Sequence, residues 1–305
     1  MTANNVIIKD PAFIIYDPRS GSTFLSNLLI KNSRIAIPPE SNFMPLIFEN
    51  FKKTRIENLH DLKVILDITY NDSKFSDWGI PKAVIKEQIT DVLPTSIREY
   101  ILLIISIFMK EKFPDAELFA IKKDNYMRYH KQIKALFPFS KFIALIRDGR
   151  AVFNSKKVSI HSERLRPFEN DVIKAAERWC NTVSLLHDIK KTYETDTLII
   201  YYETLIEDTN RILSQICDFL DLEYLSNPRK FKFLLTERYG QDLHKNIDKE
   251  PLSARIDAWK DDLSREEIFV YESIAYKHLM AEGYQLMVSE GGLEETVNRL
   301  KSSKT

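Results

Sequence analysis

Hydrophobic positions along the chain fall into short continuous runs, and longer stretches with helical spacing separate them. The four clearest runs are AFIIY (12–16), LFAIK (118–122), KFIALIR (141–147) and TLIIYY (197–202). Apolar runs of this length are typical of strands that are buried on both faces. Helical spacing covers 22–31, 95–112, 126–137, 149–158, 168–194 and 204–220, and RIAIP (34–38) is a further short strand candidate. Alternating strands and helices predict an α/β fold with a central parallel sheet and helices on both faces.

Domain organisation follows from length and from the lack of internal boundaries. The 305 residues contain no repeat, no low-complexity segment and no Gly/Ser-rich linker. A chain of this length can bury one large core. We therefore predict a single domain over residues 1–305.

Charge and cysteine content narrow the class of ligand and the compartment. Lys+Arg and Asp+Glu are equal at 44 each, so no global basic field would attract nucleic acid. Cys180 and Cys217 lie in helical patterns, which favours buried free thiols in a reducing compartment. The first residues lack a signal-peptide pattern, and the most apolar run, ILLIISIFM (101–109), is too short to span a bilayer. We expect a cytoplasmic protein without a transmembrane segment.

The stretch FIIYDPRSGSTFLSNLL (13–29) reads as a strand, a small-residue turn and a helix. Gly21 permits a tight turn, after which the first helical N–H groups point at whatever lies in the loop. Arg19 adds a forked cation suited to phosphate-type oxygens, and hydroxyl donors come from Ser20, Ser22 and Thr23. The lysine of an NTP-binding loop is missing. The stretch predicts an anion-binding loop, with a plain turn and serine caps as the alternative.

A second candidate anion site lies in KFIALIRDGRAVFNSKK (141–157). Arg147 ends a predicted buried strand, and Ser155 follows about two helical turns later, beside Lys156 and Lys157. Ligands of parallel sheets bind at the carboxyl ends of the strands, so this site should adjoin the first. An Arg–Asp pair at a turn is the alternative interpretation.

Glu40, in the loop IPPESNFMP (37–45), is the candidate general base. A carboxylate beside an anion-binding loop repels the ligand unless it has a task such as taking a proton from an acceptor hydroxyl. A lone glutamate in a loop is otherwise a solvated residue, which is the alternative here.

These stretches together resemble the sulfotransferases that use 3′-phosphoadenosine 5′-phosphosulfate (PAPS), most of all the tyrosylprotein sulfotransferases and their bacterial relatives. Residues 18–23 match that family's Pro-Arg-Ser-Gly-Thr-Thr loop, with Ser22 in place of one threonine. The family's catalytic glutamate falls on Glu40, and its Asn-Lys-Asp-Pro stretch resembles residues 122–125, which makes Lys123 the counterpart of the catalytic lysine.

Two further segments carry the resemblance. Residues 137–155 are similar to the family's 3′-phosphate site and imply that Arg147 and Ser155 bind that phosphate. Residues 199–224 are similar to its Tyr-Tyr-Glu strand and following helix and imply that Tyr202 contacts the cofactor. Ser159 replaces a basic residue of the family, so Lys156 or Lys157 is expected to compensate.

The resemblance implies a P-loop-NTPase-like three-layer sandwich and transfer of a sulfuryl group from PAPS to an acceptor hydroxyl, with the bisphosphate PAP as product. It implies no metal, since arginine and lysine supply the positive charge. The implied catalytic residues are Glu40, Arg19 and Lys123; the implied cofactor-binding residues are Arg19, Ser20, Gly21, Ser22, Thr23, Arg147, Ser155 and Tyr202. A kinase-like phosphotransferase and an inactive PAPS-fold binding protein are the alternatives.

The acceptor itself is left open among a carbohydrate, a tyrosyl peptide and a small metabolite, and a homodimer is left open as the assembly. Residues 41–115, rich in Phe, Tyr and Ile, are predicted to form a helical cap over the acceptor site. The stretch before Trp259 (239–259) contains further candidates for ligand contact, none of them singled out: His244, Lys249 and Arg255.

Overall fold

The computed structural model describes residues 9–161, 166–167, 169–231 and 254–288. The strands are β1 (Ala12–Tyr16), β2 (Ile35–Ala36), β3 (Arg55–Ile56), β4 (Thr95–Ser96), β5 (Leu118–Lys122), β6 (Phe142–Ile146), β7 (Ile160–His161), β8 (Arg166–Pro167) and β9 (Thr197–Tyr201). The larger helices are α1 (Ser22–Asn32), α2 (Phe43–Asn50), α3 (Leu59–Asn71), α4 (Lys82–Thr90), α5 (Ile97–Lys112), α6 (His130–Leu136), α7 (Gly149–Val158), α8 (Val172–Thr192), α10 (Thr209–Leu220) and α13 (Arg265–Ala281). Shorter helices are α9 (Tyr202–Glu207), α11 (Ala254–Asp257), α12 (Trp259–Asp262) and two 3₁₀ helices, Phe75–Trp78 and Asp124–Tyr129.

A five-stranded parallel sheet with the order β2-β5-β1-β6-β9 forms the centre of the fold. Every residue of β1, β5 and β6 is buried, which requires cover on both faces of the sheet. Because all five strands run the same way, their carboxyl ends meet at one edge. The α/β prediction with a central parallel sheet is confirmed.

The predicted strands of the central sheet and the predicted helix after β6 agree closely with the structure. β1, β5 and α7 have the predicted bounds, and β6 and β9 are slightly shorter than their apolar runs. The predicted helix 204–220 is wrong at Asp208, where α9 ends and α10 begins. The Asp208 carboxylate accepts the backbone N–H of Arg211 at 3.2 Å and so caps a new helix.

The most apolar run lies inside α5 and belongs to the core. Ile101, Ile104, Ile105 and Phe108 form its buried face at helical spacing. No helix in the described part of the chain is both long enough and apolar enough to cross a membrane. Both cysteines are free and buried, one in α8 and one in α10.

Residues 41–115 contain α2 to α5 together with the antiparallel pair β3–β4. Their interior is an aromatic cluster in which Phe43, Phe75 and Trp78 have ring centroids 5.2–5.3 Å apart. Trp78 Nε1 also donates a hydrogen bond to the carbonyl of Pro39 at 2.9 Å. This segment therefore holds the residue next to Glu40 in place, while its role as a cap over the acceptor stays a prediction.

Candidate active site

The loop between β1 and α1 has the backbone of an anion-binding loop. Arg19 and Gly21 adopt positive φ angles of 78° and 92°, and α1 begins directly afterwards at Ser22. No side chain caps this helix, and its first turn contains no acidic residue. The unpaired first-turn N–H groups and the positive end of the helix dipole thus face the loop.

Tyr202 closes one side of this loop. Its ring lies so near Gly21 that a methyl group added there would overlap it. The Arg147 guanidinium lies over the same ring, 4.3 Å from its centroid, and Arg147 Nη1 donates to the carbonyl of Arg19 at 3.2 Å. Tyr202 therefore positions both the loop and Arg147, and its contact with a cofactor stays a prediction.

The two predicted anion sites are brought together by a direct contact. Arg19 Nε, from the first site, donates to Ser155 Oγ of α7, in the second, at 3.1 Å. Trp179 Nε1 of α8 donates to the carbonyl of Arg147 at 2.9 Å and holds the end of β6. A continuous band of donors therefore runs from the loop after β1 to the helix after β6.

Two lysines expected beside the second site already have carboxylate partners. Lys156 is buried and forms an ion pair with Asp17 at 2.6 Å, and Lys157 pairs with Glu267 at 2.6 Å. Burial lowers the pKa of Lys156, and the Asp17 carboxylate opposes that shift. Lys156 therefore anchors the start of the loop, and replacement by Lys157 of the basic residue missing at Ser159 stays a prediction.

Glu40 lies in a group that we call the base cluster, formed by Tyr16, Glu40, Lys122 and Lys123. Glu40 Oε1 accepts a hydrogen bond from the Tyr16 hydroxyl at 2.8 Å and lies 3.1 Å from Lys122 Nζ. Glu40 Oε2 lies 3.2 Å from Lys123 Nζ. The Glu40 side chain is only 19% exposed, so the interpretation of Glu40 as a solvated loop residue is wrong.

The charges in the base cluster reinforce one another. Burial alone would raise the pKa of Glu40, but Lys122, Lys123 and the Tyr16 hydroxyl outweigh it and hold that pKa well below its usual value. Burial alone would likewise lower the pKa of Lys123, and Glu40 and Asp124 raise it instead. Glu40 is therefore ionised, and the same positive charges weaken it as a base while they contact it.

Hydrogen bonds with the helical segment 41–115 hold the residues on both sides of Glu40. The Pro39 carbonyl accepts from Trp78, and Asp72 accepts from Ser41 Oγ at 2.6 Å and from the backbone N–H of Asn42 at 2.5 Å. These contacts order the loop beyond what its two prolines impose. Glu40 is thus presented to the strand ends from a fixed backbone.

Sequence reasoning selected Lys123 and missed Tyr16 and Lys122. Lys122 Nζ donates to Thr23 Oγ1 at 3.0 Å, so it touches the anion-binding loop as well as Glu40. Tyr16 and Lys122 are the last residues of the neighbouring parallel strands β1 and β5. A polar residue that ends an apolar run at the ligand-binding edge was the signal that could have found both.

The other predicted residues are distributed as follows. Ser20 and Ser22 are buried within the loop. His244 and Lys249 lie outside the described residues, as does the side chain of Arg255. Within the described ranges, no group of three or more His, Cys, Asp and Glu side chains gathers as a metal site. The roles of all these residues in binding and catalysis stay predictions.

Comparison with known proteins shows which family this chain belongs to. A model of the sulfotransferase family matches residues 11–226, which include the loop after β1, Glu40, the base-cluster lysines and the segment after β6. The chain belongs to the sulfotransferase family.

Curated relatives in this family are named as tyrosine sulfotransferases. The Drosophila melanogaster protein-tyrosine sulfotransferase is 22% identical over 266 residues, which are 82% of this chain and 47% of that protein. Protein-tyrosine sulfotransferase A of Caenorhabditis elegans is 32% identical over 107 residues, which are 33% of this chain and 27% of that protein. The alignments thus span less than half of the length of either relative.

Solved sulfotransferase domains share the fold. The sulfotransferase domain from the curacin biosynthetic pathway has a TM-score of 0.57 and 19% identity, with 91% of this chain and 99% of that domain covered. The sulfotransferase domain from the Synechococcus PCC 7002 olefin synthase has a TM-score of 0.51 and 21% identity, with 90% and 99% covered. The predicted P-loop-NTPase-like three-layer fold is confirmed.

Proposed function

We propose that this protein transfers the sulfuryl group of PAPS to an acceptor hydroxyl and releases PAP. The observation that supports this most is the position of Glu40, an ionised carboxylate with little exposure that shares Lys122 with the anion-binding loop. A carboxylate in that place opposes anion binding, and a role as general base explains why it is there.

The residues present fit PAPS. The loop at residues 18–23 offers uncapped helical N–H groups and Arg19, and Tyr202 leaves no room for a side chain at Gly21. These groups would bind the 5′-phosphosulfate end. Arg147 and Ser155, in contact with Arg19, would bind the 3′-phosphate. PAPS supplies an activated sulfuryl group whose S–O bond to the 5′-phosphate breaks.

The side chains then have distinct tasks. Glu40 accepts the proton of the acceptor hydroxyl while the acceptor oxygen bonds to sulfur. Arg19 and Lys123 stabilise the charge that develops on the departing 5′-phosphate oxygen, and the N–H groups of the first turn of α1 hold the non-bridging oxygens. As in phosphoryl transfer, catalysis consists mainly of alignment and charge stabilisation.

The acceptor class is part of the proposal. The names of the curated relatives support a tyrosyl phenol as the first class to test, beside carbohydrate and small-molecule hydroxyls. We also propose a cytoplasmic location, which cell fractionation would check. Assembly as a homodimer stays a prediction for sedimentation to test.

The decisive experiment incubates the purified protein with sulfur-labelled PAPS and a panel of tyrosyl peptides, sugars and small alcohols. We expect label on at least one acceptor class, at a rate that EDTA leaves unchanged, because side chains supply the positive charge. Absence of label from every class, together with absence of PAP binding, would overturn the proposal. Magnesium-dependent transfer of phosphate from ATP would favour a phosphotransferase instead.

A further inference from the structure

We propose that Lys122 is a second lysine of the transfer site, which binds the 5′-phosphosulfate end of the donor by exchanging its contact with Glu40 for one with a donor oxygen. This inference rests on the proposed function. It adds to the predicted site a residue whose neighbour, Lys123, was the one singled out from the sequence.

Lys122 bridges the two halves of the site. Its ammonium lies 3.0 Å from Thr23 Oγ1, in the first turn of α1, and 3.1 Å from Glu40 Oε1. The side chain is only 6% exposed, so the charge is shielded from water. An ammonium has three N–H groups, and these two contacts engage two of them. The ammonium therefore already lies beside the loop that Thr23 helps to form, where a donor oxygen would bind.

The two lysines of the base cluster differ in how firmly they are held. Lys123 contacts Glu40 at 3.2 Å and also Asp124 at 2.8 Å. In the described part of the chain, the ion-pair partner of Lys122 is Glu40 alone. An arriving anion therefore competes with two carboxylates for Lys123 but with only one for Lys122. Lys122 is the lysine that can change partner at the lower cost.

That exchange would couple donor binding to the strength of the base. Lys122 is one of the cations that hold the pKa of Glu40 below its usual value. When its charge is shared with a donor oxygen, the carboxylate becomes more basic. Glu40 would then be strongest as a base when the donor is bound. Without donor, both lysines and the Tyr16 hydroxyl contact the Glu40 carboxylate and keep its pKa low.

Calorimetry with PAP, which retains the 5′-phosphate, tests the exchange through a double-mutant cycle. Lys122→Met should weaken PAP binding by about 10- to 100-fold, the range for losing a hydrogen bond to a charged group. Glu40→Gln should tighten binding, because it removes both a negative charge and the competitor for Lys122. In the double variant Lys122→Met/Glu40→Gln, most of that gain should disappear.

Control variants separate this role from a structural one. Lys141→Met removes a lysine just before β6, where it pairs with Asp221, and should leave PAP affinity unchanged. Lys122→Arg should restore most of the affinity, because it returns the positive charge. If the methionine variant does not fold, Lys122→Gln retains a donor for Thr23 and should show the same loss of PAP binding.

The outcomes distinguish the two proposals. A wild-type protein that does not bind PAP would contradict the proposed function itself. A wild-type protein that binds PAP while Lys122→Met or Lys122→Gln binds it equally well would overturn only the role of Lys122. An undiminished effect of Glu40→Gln in the double variant would overturn the exchange as well.

Discussion

Two groups of charged side chains differ in the contacts that hold their charges. In the base cluster, Glu40 is held by the side chains of Tyr16, Lys122 and Lys123. The second group, which we call the Arg150 cluster, consists of Asp148, Arg150 and Glu272. There Arg150 binds Asp148 through Nη2 at 2.7 Å and binds Glu272 through Nη1.

Backbone N–H groups and an aromatic ring also contact the charged groups of the Arg150 cluster. Glu272 accepts the backbone N–H groups of Met287 and Val288, and the Arg150 guanidinium lies 3.9 Å from the Trp259 ring centroid. Arg150 is 2% exposed and Glu272 is fully buried, whereas Glu40 is 19% exposed. The base cluster is thus held by side chains at a partly open edge, whereas the Arg150 cluster is buried and has backbone and ring contacts in addition to its ion pairs. The first arrangement suits chemistry and the second suits stability.

The largest effect on stability should follow from removing the arginine of the Arg150 cluster. Arg150→Met leaves two buried carboxylates without their cation, which costs about 3–5 kcal/mol of unfolding free energy. Arg211→Met is the matched control, because its partner Asp208 is at the surface and such pairs contribute only about 0–1 kcal/mol. Chemical denaturation measures both values. Equal losses in the two variants would remove the structural role assigned to this cluster.

The next effect concerns the loop. Gly21→Ala should cost about 1–2 kcal/mol for the positive φ angle, and the added methyl would also push against Tyr202. Gly283→Ala measures the cost of the positive φ angle alone, since Gly283 has φ of 81° and nothing lies within 4 Å of an added methyl. Thermal denaturation and PAP calorimetry check the pair. Loss of PAP binding in Gly21→Ala alone is expected, and equal loss in both variants would argue against the fit between loop and ring.

Ser155 tests the second anion site. Ser155→Ala removes the hydroxyl that contacts Arg19, and PAP should bind about tenfold more weakly, near the lower limit for a hydrogen bond to a charged group. ADP, which lacks the 3′-phosphate, should bind the variant and the wild-type protein equally. A parallel loss for both ligands in calorimetry would show that Ser155 supports the loop rather than the 3′-phosphate.

The pH dependence of the base cluster should show a smaller effect. The pKa of Glu40 is lowered in the folded protein, so its stabilising effect is present above the unfolded pKa of about 4.3 and is lost as pH falls through the folded pKa. Glu40 should therefore cause no loss of kcat/KM for PAPS between about pH 5 and 7. Lys123→Met should raise that pKa and move the acidic limb to higher pH.

Lys141→Met serves as the control for that profile and should leave the acidic limb where it is. An unmoved limb in Lys123→Met would mean that Lys123 does not set the ionisation of Glu40.

What the sequence predicted is what local burial and local chain geometry determine. β1 and β5 follow from continuous apolar runs, and the anion-binding loop follows from the small residues after β1. The rule that ligands bind at the carboxyl ends of parallel strands was enough to expect Arg147 and Ser155 near Arg19, although 136 residues separate Arg19 from Ser155.

The missing parts depend on distant contacts and on weak patterns. The role of Lys122 requires knowing that its ammonium meets both Thr23, which is 99 residues away, and Glu40. The helices α2 and α4 have only 8 and 9 residues, too few for a clear periodic pattern. The Arg150 cluster joins α7 to α13 through residues that give no local signal of their contact.

The most direct test of the account is kcat of Glu40→Gln at saturating PAPS with a good acceptor. The variant should turn over about 10²–10⁴-fold more slowly, the usual contribution of a general base, while PAP binding is retained or strengthened and shows that the protein is folded. The loss should be smaller for a phenol than for an alkyl hydroxyl, because a phenol with a pKa of about 10 is easier to deprotonate. A variant with near wild-type kcat would contradict the assignment of Glu40 as the base and, with it, the chemical role of the base cluster.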